Sequence, residues 1–174
     1  FSFQGLVIVT GFLCNYANLS CMPLQKFKLM SVYRHRIKNT NYSYMKVEVQ
    51  SGIPTKIAFD GLKDQKNLTE FHFENCPHQT QTNQVTLVTT IHWKSNINGL
   101  RYYLAVRAGQ IRLEQVSSVT DHHRFFVRAV CLTCTTYKIR SVASNKYIKT
   151  DSSGQATLGT KGGNRKAFFR RQSC

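Results

Sequence analysis

The stretch from Asn145 to Gly163, NKYIKTDSSGQATLGTKGG, spells out a β-hairpin and so constrains the whole chain. Tyr147 and Ile148 supply bulky, β-favouring residues. Asp151-Ser152-Ser153-Gly154 then demands a reversal, because Asp and Ser bond their own backbone and Gly tolerates positive φ. Ala156 and Leu158 alternate with polar neighbours on the return, and Gly162-Gly163 ends it. The pattern recurs upstream in RYYLAVRAGQIRLE, from Arg101, where Tyr103-Leu104 corresponds to Tyr147-Ile148 and Gln110 to Gln155. The tyrosines stand 44 residues apart and the glutamines 45. Another 45 residues earlier comes Gln65-Lys66-Asn67-Leu68, with Phe59 in the place of Leu104. Three such units in register predict an internal threefold repeat.

Period-two alternation runs through most of the rest. Met45, Val47 and Val49 alternate with Lys46 and Glu48, and Phe71 and Phe73 with Glu70, His72 and Glu74. Val85, Leu87, Thr89, Ile91 and Trp93 form one long stripe, followed by Phe125-Val127-Ala129, Tyr137-Ile139 and Phe169. Each is the signature of a strand buried on one face, and no stretch sustains helical spacing. The chain is therefore expected to be all-β. Repeats of about 45 residues have propeller-blade length, but propellers need roughly four to eight blades. Three units suit a β-trefoil, a capped barrel of pseudo-threefold symmetry, with a sandwich as the competing architecture. The repeat predicts Leu68, Leu113 and Leu158 at equivalent buried positions.

The 174 residues, 41% of them hydrophobic, are enough for one ordinary domain. Residues 1–36 read as an N-terminal segment (truncated signal, propeptide or linker), and the folded domain is placed at 37–174. Gly5–Leu13 is apolar but far shorter than the ~20 residues of a membrane helix. The six Cys are irregularly spaced, which suggests small buried hydrophobes or free thiols rather than a disulfide scaffold. The net charge of +16 points to acidic partners.

Catalytic and metal chemistry finds little support. Gly154 to Lys161 comes near a phosphate-binding loop, but Thr160-Lys161 reverses the required order and no helix follows. Cys131-x-x-Cys134 with His122 and His123 is half a zinc set, and no second pair completes it. The eight carboxylates form no paired motif, so no enzyme activity, cofactor or metal is expected. Asp121-His122-His123 reads as a solvated turn before the Phe125 strand, and Trp93 as core. Asn18, Asn41 and Asn67 open N-x-Ser/Thr triplets, which matter only in a secreted chain.

SVASNKYIKTDSSGQATLGTKGG, from Ser141, resembles the C-terminal signature of the interleukin-1 family of cytokines. Tyr147, Ile148, Thr150, Leu158, Thr160, Lys161, Gly162 and Gly163 match it. Tyr102-Tyr103-Leu104, Leu113-Glu114 and Arg124-Phe125-Phe126 match the preceding strands in order. The similarity is good over Val85–Phe169 and weak over Ile37–Gln84. Asn145-Lys146 stand where the family usually has a proline.

This resemblance implies a β-trefoil, secreted to the extracellular space (from a cytosolic precursor in some members), that modulates inflammatory signalling by binding an interleukin-1-type receptor ectodomain. It implies receptor contacts at Lys161, Arg165, Lys166, Phe168, Arg170 and Arg171. An ungapped count from Gly162-Gly163 makes Phe169 the aromatic of the final strand and puts Phe168 where signalling members carry an acid. That basic tail suggests a receptor antagonist, with agonism versus antagonism left open. A monomer is expected, with no nucleic-acid partner and no membrane insertion.

The alternative is a heparin- or glycan-binding trefoil resembling fibroblast growth factors, with Lys161, Arg165, Lys166, Arg170 and Arg171 as its polyanion patch. A structural or actin-crosslinking trefoil ranks third. Galactose-type trefoil lectins repeat a Gln-x-Trp motif, whereas Trp93 is the only Trp here and lies outside the Gln-x-x-Leu units.

Overall fold

The computed structural model describes residues 21–33, 43–79, 82, 84–133, 135–163 and 165–174. In chain order these form β1 (Met22–Ser31), β2 (Ser43–Gln50), β3 (Ile53–Gly61), a helical turn α1 (Lys66–Thr69), β4 (Glu70–Gln79) and β5 (Val85–Lys94). There follow β6 (Arg101–Arg107), β7 (Gln110–Glu114), β8 (Arg124–Ala129), β9 (Thr136–Ser141), β10 (Tyr147–Thr150), β11 (Ala156–Gly159) and β12 (Phe169–Ser173).

Six strands make a closed antiparallel ring. β1 pairs with β4, β4 with β5, β5 with β8, β8 with β9, β9 with β12, and β12 returns to β1. The other six are hairpins, β2–β3, β6–β7 and β10–β11, attached through β1, β5 and β9. Four strands per unit, repeated three times, make this a β-trefoil. The hairpins close one end of the barrel together: Ala58 bridges Gln155, the Phe59 N–H donates to the Gly154 carbonyl at 2.6 Å, and β3, β7 and β11 touch one another.

The alternation explains the core. Leu29, Phe71 and Phe73, Ile91 and Trp93, Phe125, Ile139 and Phe169 are buried, so each barrel strand sends at least one large side chain inward. Phe59 stacks on Phe169 at 5.1 Å, linking a cap hairpin to the barrel. Trp93 is core, as expected, and its indole N–H reaches the Asn67 carbonyl at 2.7 Å. Two hairpins turn on residues of positive φ, Ser51-Gly52 and Ala108-Gly109, the geometry that matches strand twist. The third turns on Asp151, whose Oδ1 accepts the N–H groups of Ser153 and Gln155 at 2.8 and 2.9 Å.

Several expectations need correction. The barrel does not begin at Ile37: β1 precedes it and pairs with β2, β4 and β12, so Met22–Ser31 is integral to the fold. Gly5–Leu13 lies outside the described residues. Leu113 and Leu158 are equivalent, facing Leu104 and Ile148 in their hairpins. Leu68 is not, because the first unit is longer and Gln65–Leu68 falls on the connection between β3 and β4. All three leucines are half-buried against the core. The β5 stripe is buried only from Val88 onward, since Val85 and Leu87 lie on the projecting end of the β4–β5 hairpin.

The cysteine expectation fails most clearly. Cys21 and Cys76 form a disulfide with Cα atoms 4.1 Å apart, because the Met22–Asn75 pairing sets them opposite each other across β1 and β4. Cys131 is exposed and also disulfide-bonded, while Cys174 is a free, exposed thiol. Cys14 and Cys134 lie outside the described residues.

The Cys21–Cys76 bridge closes a loop with a sequence separation of 55, for which the chain-entropy estimate is about 4 kcal/mol. Cys21→Ser should therefore lower the unfolding free energy in urea by about that amount while far-UV dichroism stays β-rich. An unchanged midpoint would contradict the tethering role.

Candidate functional site

The β8–β9 ladder builds the site. Phe126 pairs with Arg140 and Arg128 with Lys138, while Phe125 and Ile139 on the opposite parity point into the core. Strand alternation thus forces three cations onto one outer face. The Phe126 ring carries the Arg140 guanidinium 5.0 Å from its centroid and that of Arg128 at 5.5 Å. Lys138 sits 5.3 Å from the Phe168 ring. Tyr147 on β10, paired with Arg140 of β9, completes a shallow cavity of about 190 Å³ with Phe126, Arg128, Ala129, Lys138 and Arg140.

The residues expected at the site are only partly brought together. Arg171 lies over Tyr137 at 4.0 Å and Phe27 at 5.0 Å, so it joins β12 to β9 and β1. Arg170 is exposed on β12, opposite Thr136. Arg165 and Lys166 belong to a 3-10 turn, Lys166 standing 5.0 Å over Tyr33. Phe168 is half-buried and touches the β8–β9 face through Lys138, whereas Phe169 is core. Lys161 is exposed, and the adjoining Gly162 packs on the Tyr147 ring. Sequence reasoning missed Phe126, Arg128, Lys138, Arg140 and Tyr147 as site residues. Their signal was available as the outward parity of strands whose inward residues, Phe125 and Ile139, had been identified.

The face is electrostatically uncompensated. Among the described residues no carboxylate pairs with Arg128, Lys138, Arg140, Arg170 or Arg171; the acids serve elsewhere, as in Lys46–Asp60, Arg124–Asp121 and the Arg107–Glu114–Arg112 cluster. Burial raises the Glu114 carboxyl, but hydrogen bonds from Arg107 and His123 outweigh it and hold the group below its usual range. Residues 122–174 contain eleven Lys and Arg against the single acid Asp151.

The Asp121-His122-His123 turn is not wholly solvated. His123 is buried, its Nδ1 within 3.1 Å of the Thr120 N–H and its Nε2 3.2 Å from Glu114, while His122 Nδ1 lies 2.9 Å from the Val106 carbonyl. Three of these four ring nitrogens thus sit in structural contacts, and no cluster suited to a metal occurs among the described residues. Asn67 is exposed, but Thr69 of its triplet is buried with its hydroxyl donated to the Gln65 carbonyl at 2.8 Å. The folded triplet therefore does not present its hydroxyl. Asn18 and Asn41 lie outside the described residues.

No family model matches the sequence, and no curated protein matches it either. Solved structures do. A designed threefold-symmetric protein, ThreeFoil, aligns with a TM-score of 0.56 at 14% identity over 86% of this chain and 99% of its own. SeviL, solved bound to asialo-GM1 saccharide, gives 0.54 at 10% identity over 86% and 98%. A GlcNAcα1-4Gal-releasing endo-β-galactosidase from Clostridium perfringens gives 0.55 at 13% identity over 87% of this chain, which spans only 33% of that enzyme. At these identities the likeness establishes the β-trefoil fold and nothing finer.

A Cβ at Gly162 would come within 2.7 Å of the Tyr147 ring, whereas one at Gly163 would meet nothing within 4 Å. Gly162→Ala should destabilise by ~1–3 kcal/mol as the ring is displaced, with Gly163→Ala milder. Equal melting temperatures for the two variants would contradict the packing of this turn on the cavity.

Proposed function

We propose that this chain is a secreted, glycan-binding β-trefoil that takes acidic sugars on the β8–β9–β12 face. The observation that carries the reading is the guanidinium pair on Phe126. A guanidinium held over an aromatic ring loses freedom, while its N–H groups can still form paired hydrogen bonds with a sulfate or carboxylate. Lys138, held beside Phe168, adds a third cation, and Tyr147 offers a ring on which an apolar sugar face can rest. Support comes from the similar folds, since one was solved with a saccharide and another is named for releasing one. The Cys21–Cys76 disulfide and the disulfide-bonded Cys131 favour an oxidising, extracellular setting. The reading is of a binding protein without catalysis.

A second reading, a receptor ligand of the interleukin-1 type, rests on the resemblance over Ser141–Gly163. Its specific support is Phe168, which stands half-buried in the basic 165–171 segment, at the position where signalling members of that family carry an acid. Saturable binding to an interleukin-1-type receptor ectodomain that survives high salt would favour it over the glycan reading.

Heparin chromatography tests the leading reading. Attraction summed over several cations weakens as the Debye length falls from ~10 Å at 0.1 M salt to ~3 Å at 1 M. The chain should bind at low salt and elute in a gradient, with Arg128→Ala/Arg140→Ala eluting earlier than Arg107→Ala/Arg112→Ala, whose arginines pair with Glu114. Equal elution of the two double variants would overturn the assignment.

A further inference from the structure

A second cationic cavity lies on another side of the barrel, where β1, α1, β4 and the end of β5 meet. Its volume is also about 190 Å³, and Lys26, Lys66 and Lys94 line it from three separate elements, with His72 and Asn96 between them. Among the described residues none of the three lysines has a carboxylate partner within ion-pair distance. Among the described residues lining the cavity Glu70 is the one with a carboxylate side chain, and the Cys174 thiol hydrogen-bonds to it.

The arrangement is built by sheet register. Lys26 pairs across from His72, His72 from His92, and His92 from Tyr103, so one row of partners crosses four strands. The His72 and His92 rings stack at 4.8 Å, nearly parallel, and His92 rests against Tyr103 at 5.2 Å. On the adjoining row Lys94 stands directly opposite Arg101, a like-charge pair that costs stability in the absence of a counter-charge. The rim is fixed from below, since the Trp93 indole holds the Asn67 carbonyl and buried Ser95 donates to the Gly52 carbonyl at 3.1 Å. The positive field also registers on the histidines. Burial, then Lys26 and Arg101, lower the His72 pKa; burial, then His72 and Arg101, lower that of His92 to about 4.

We infer that this cavity is a second binding site, specific for a compact anion: the sulfate or carboxylate group of a single acidic sugar unit. Three lysines line it against the single carboxylate of Glu70, which leaves a net positive charge, and Asn96 offers a hydrogen-bonding edge to a neighbouring hydroxyl. The cavity is smaller than the ~300–1,000 Å³ of pockets for drug-sized ligands, which limits the occupant to about one sugar unit. The inference takes only its ligand class from the acidic-glycan reading, because the cavity shares no residue with the β8–β9 face. If both are occupied, one chain holds an acidic polymer at two places, and linkage raises its apparent affinity beyond that of either site.

Titration of the full chain with glucosamine 6-sulfate, inorganic sulfate and unsulfated glucosamine, followed by NMR at the His72 ring protons, tests this. The sulfated sugar should give a saturable shift and raise the His72 titration midpoint, because a bound anion stabilises the imidazolium. Lys94→Gln should weaken its binding at least fivefold, and Arg128→Gln/Arg140→Gln should leave it unchanged. Inorganic sulfate matching the sulfated sugar would remove the sugar from the assignment and leave a simple anion site. No saturable shift, equal binding of unsulfated glucosamine, or indifference to Lys94→Gln would overturn the inference. Loss of binding only in the Arg128/Arg140 variant would locate the anion on the other face. Heparin elution insensitive to that variant would sink the face and leave the cavity standing.

Discussion

The pairing of β12 with β1 is the constraint on which the rest depends. Five consecutive partners, from Phe27–Ser173 to Ser31–Phe169, join the two ends of the described fold and close the barrel. Closure removes the free sheet edges that an open structure would expose. It also sets the parity of every barrel strand, because each register is bounded on both sides. Once parity is set, Phe169 must be inside, against Phe59, and Arg170 outside. The Cys21–Cys76 bridge reinforces the neighbouring β1–β4 seam, and buried Ser31 and Thr150, hydrogen-bonded at 2.9 Å, link β1 to the third hairpin.

The same parity divides the charge. Inward positions of β8 and β9 belong to the core, so Arg128, Lys138 and Arg140 can only face out. The acids that flank these strands in sequence have other roles: Asp121 pairs with Arg124, and Asp151 holds the turn that shapes the third hairpin. A face of one sign repels itself and lowers stability, which makes it an attractive site for a polyanion. The aromatic rings beneath the cations reduce their freedom, so less entropy is lost when an anion docks.

Much of this architecture was legible in the residues. Period two located most of the strands, though not β1, which read as part of an N-terminal segment, and turn residues such as Ser51-Gly52 and Asp151–Gly154 located the hairpins. The match of Leu113 with Leu158 correctly identified two of the three units. The first unit misled because its hairpin is longer, so a chance Gln-x-x-Leu on α1 imitated a strand. The cysteine pairing was hidden for another reason: Cys21 and Cys76 become neighbours only through the β1–β4 register, which no local pattern encodes. The basic tail at 165–171 was found as a run of charge. Its counterpart on β8 and β9 was not, because cations spaced two apart on a strand look scattered until the sheet brings two strands side by side.

The most direct test is an NMR titration of isotope-labelled chain with a sulfated heparin oligosaccharide, mapping the backbone amides that respond. The account predicts saturable shifts centred on Phe126, Arg128, Lys138, Arg140, Tyr147 and Phe168, fading as salt is raised. Shifts spread evenly over the surface, or centred on the β2–β3 or β6–β7 hairpins, would contradict it.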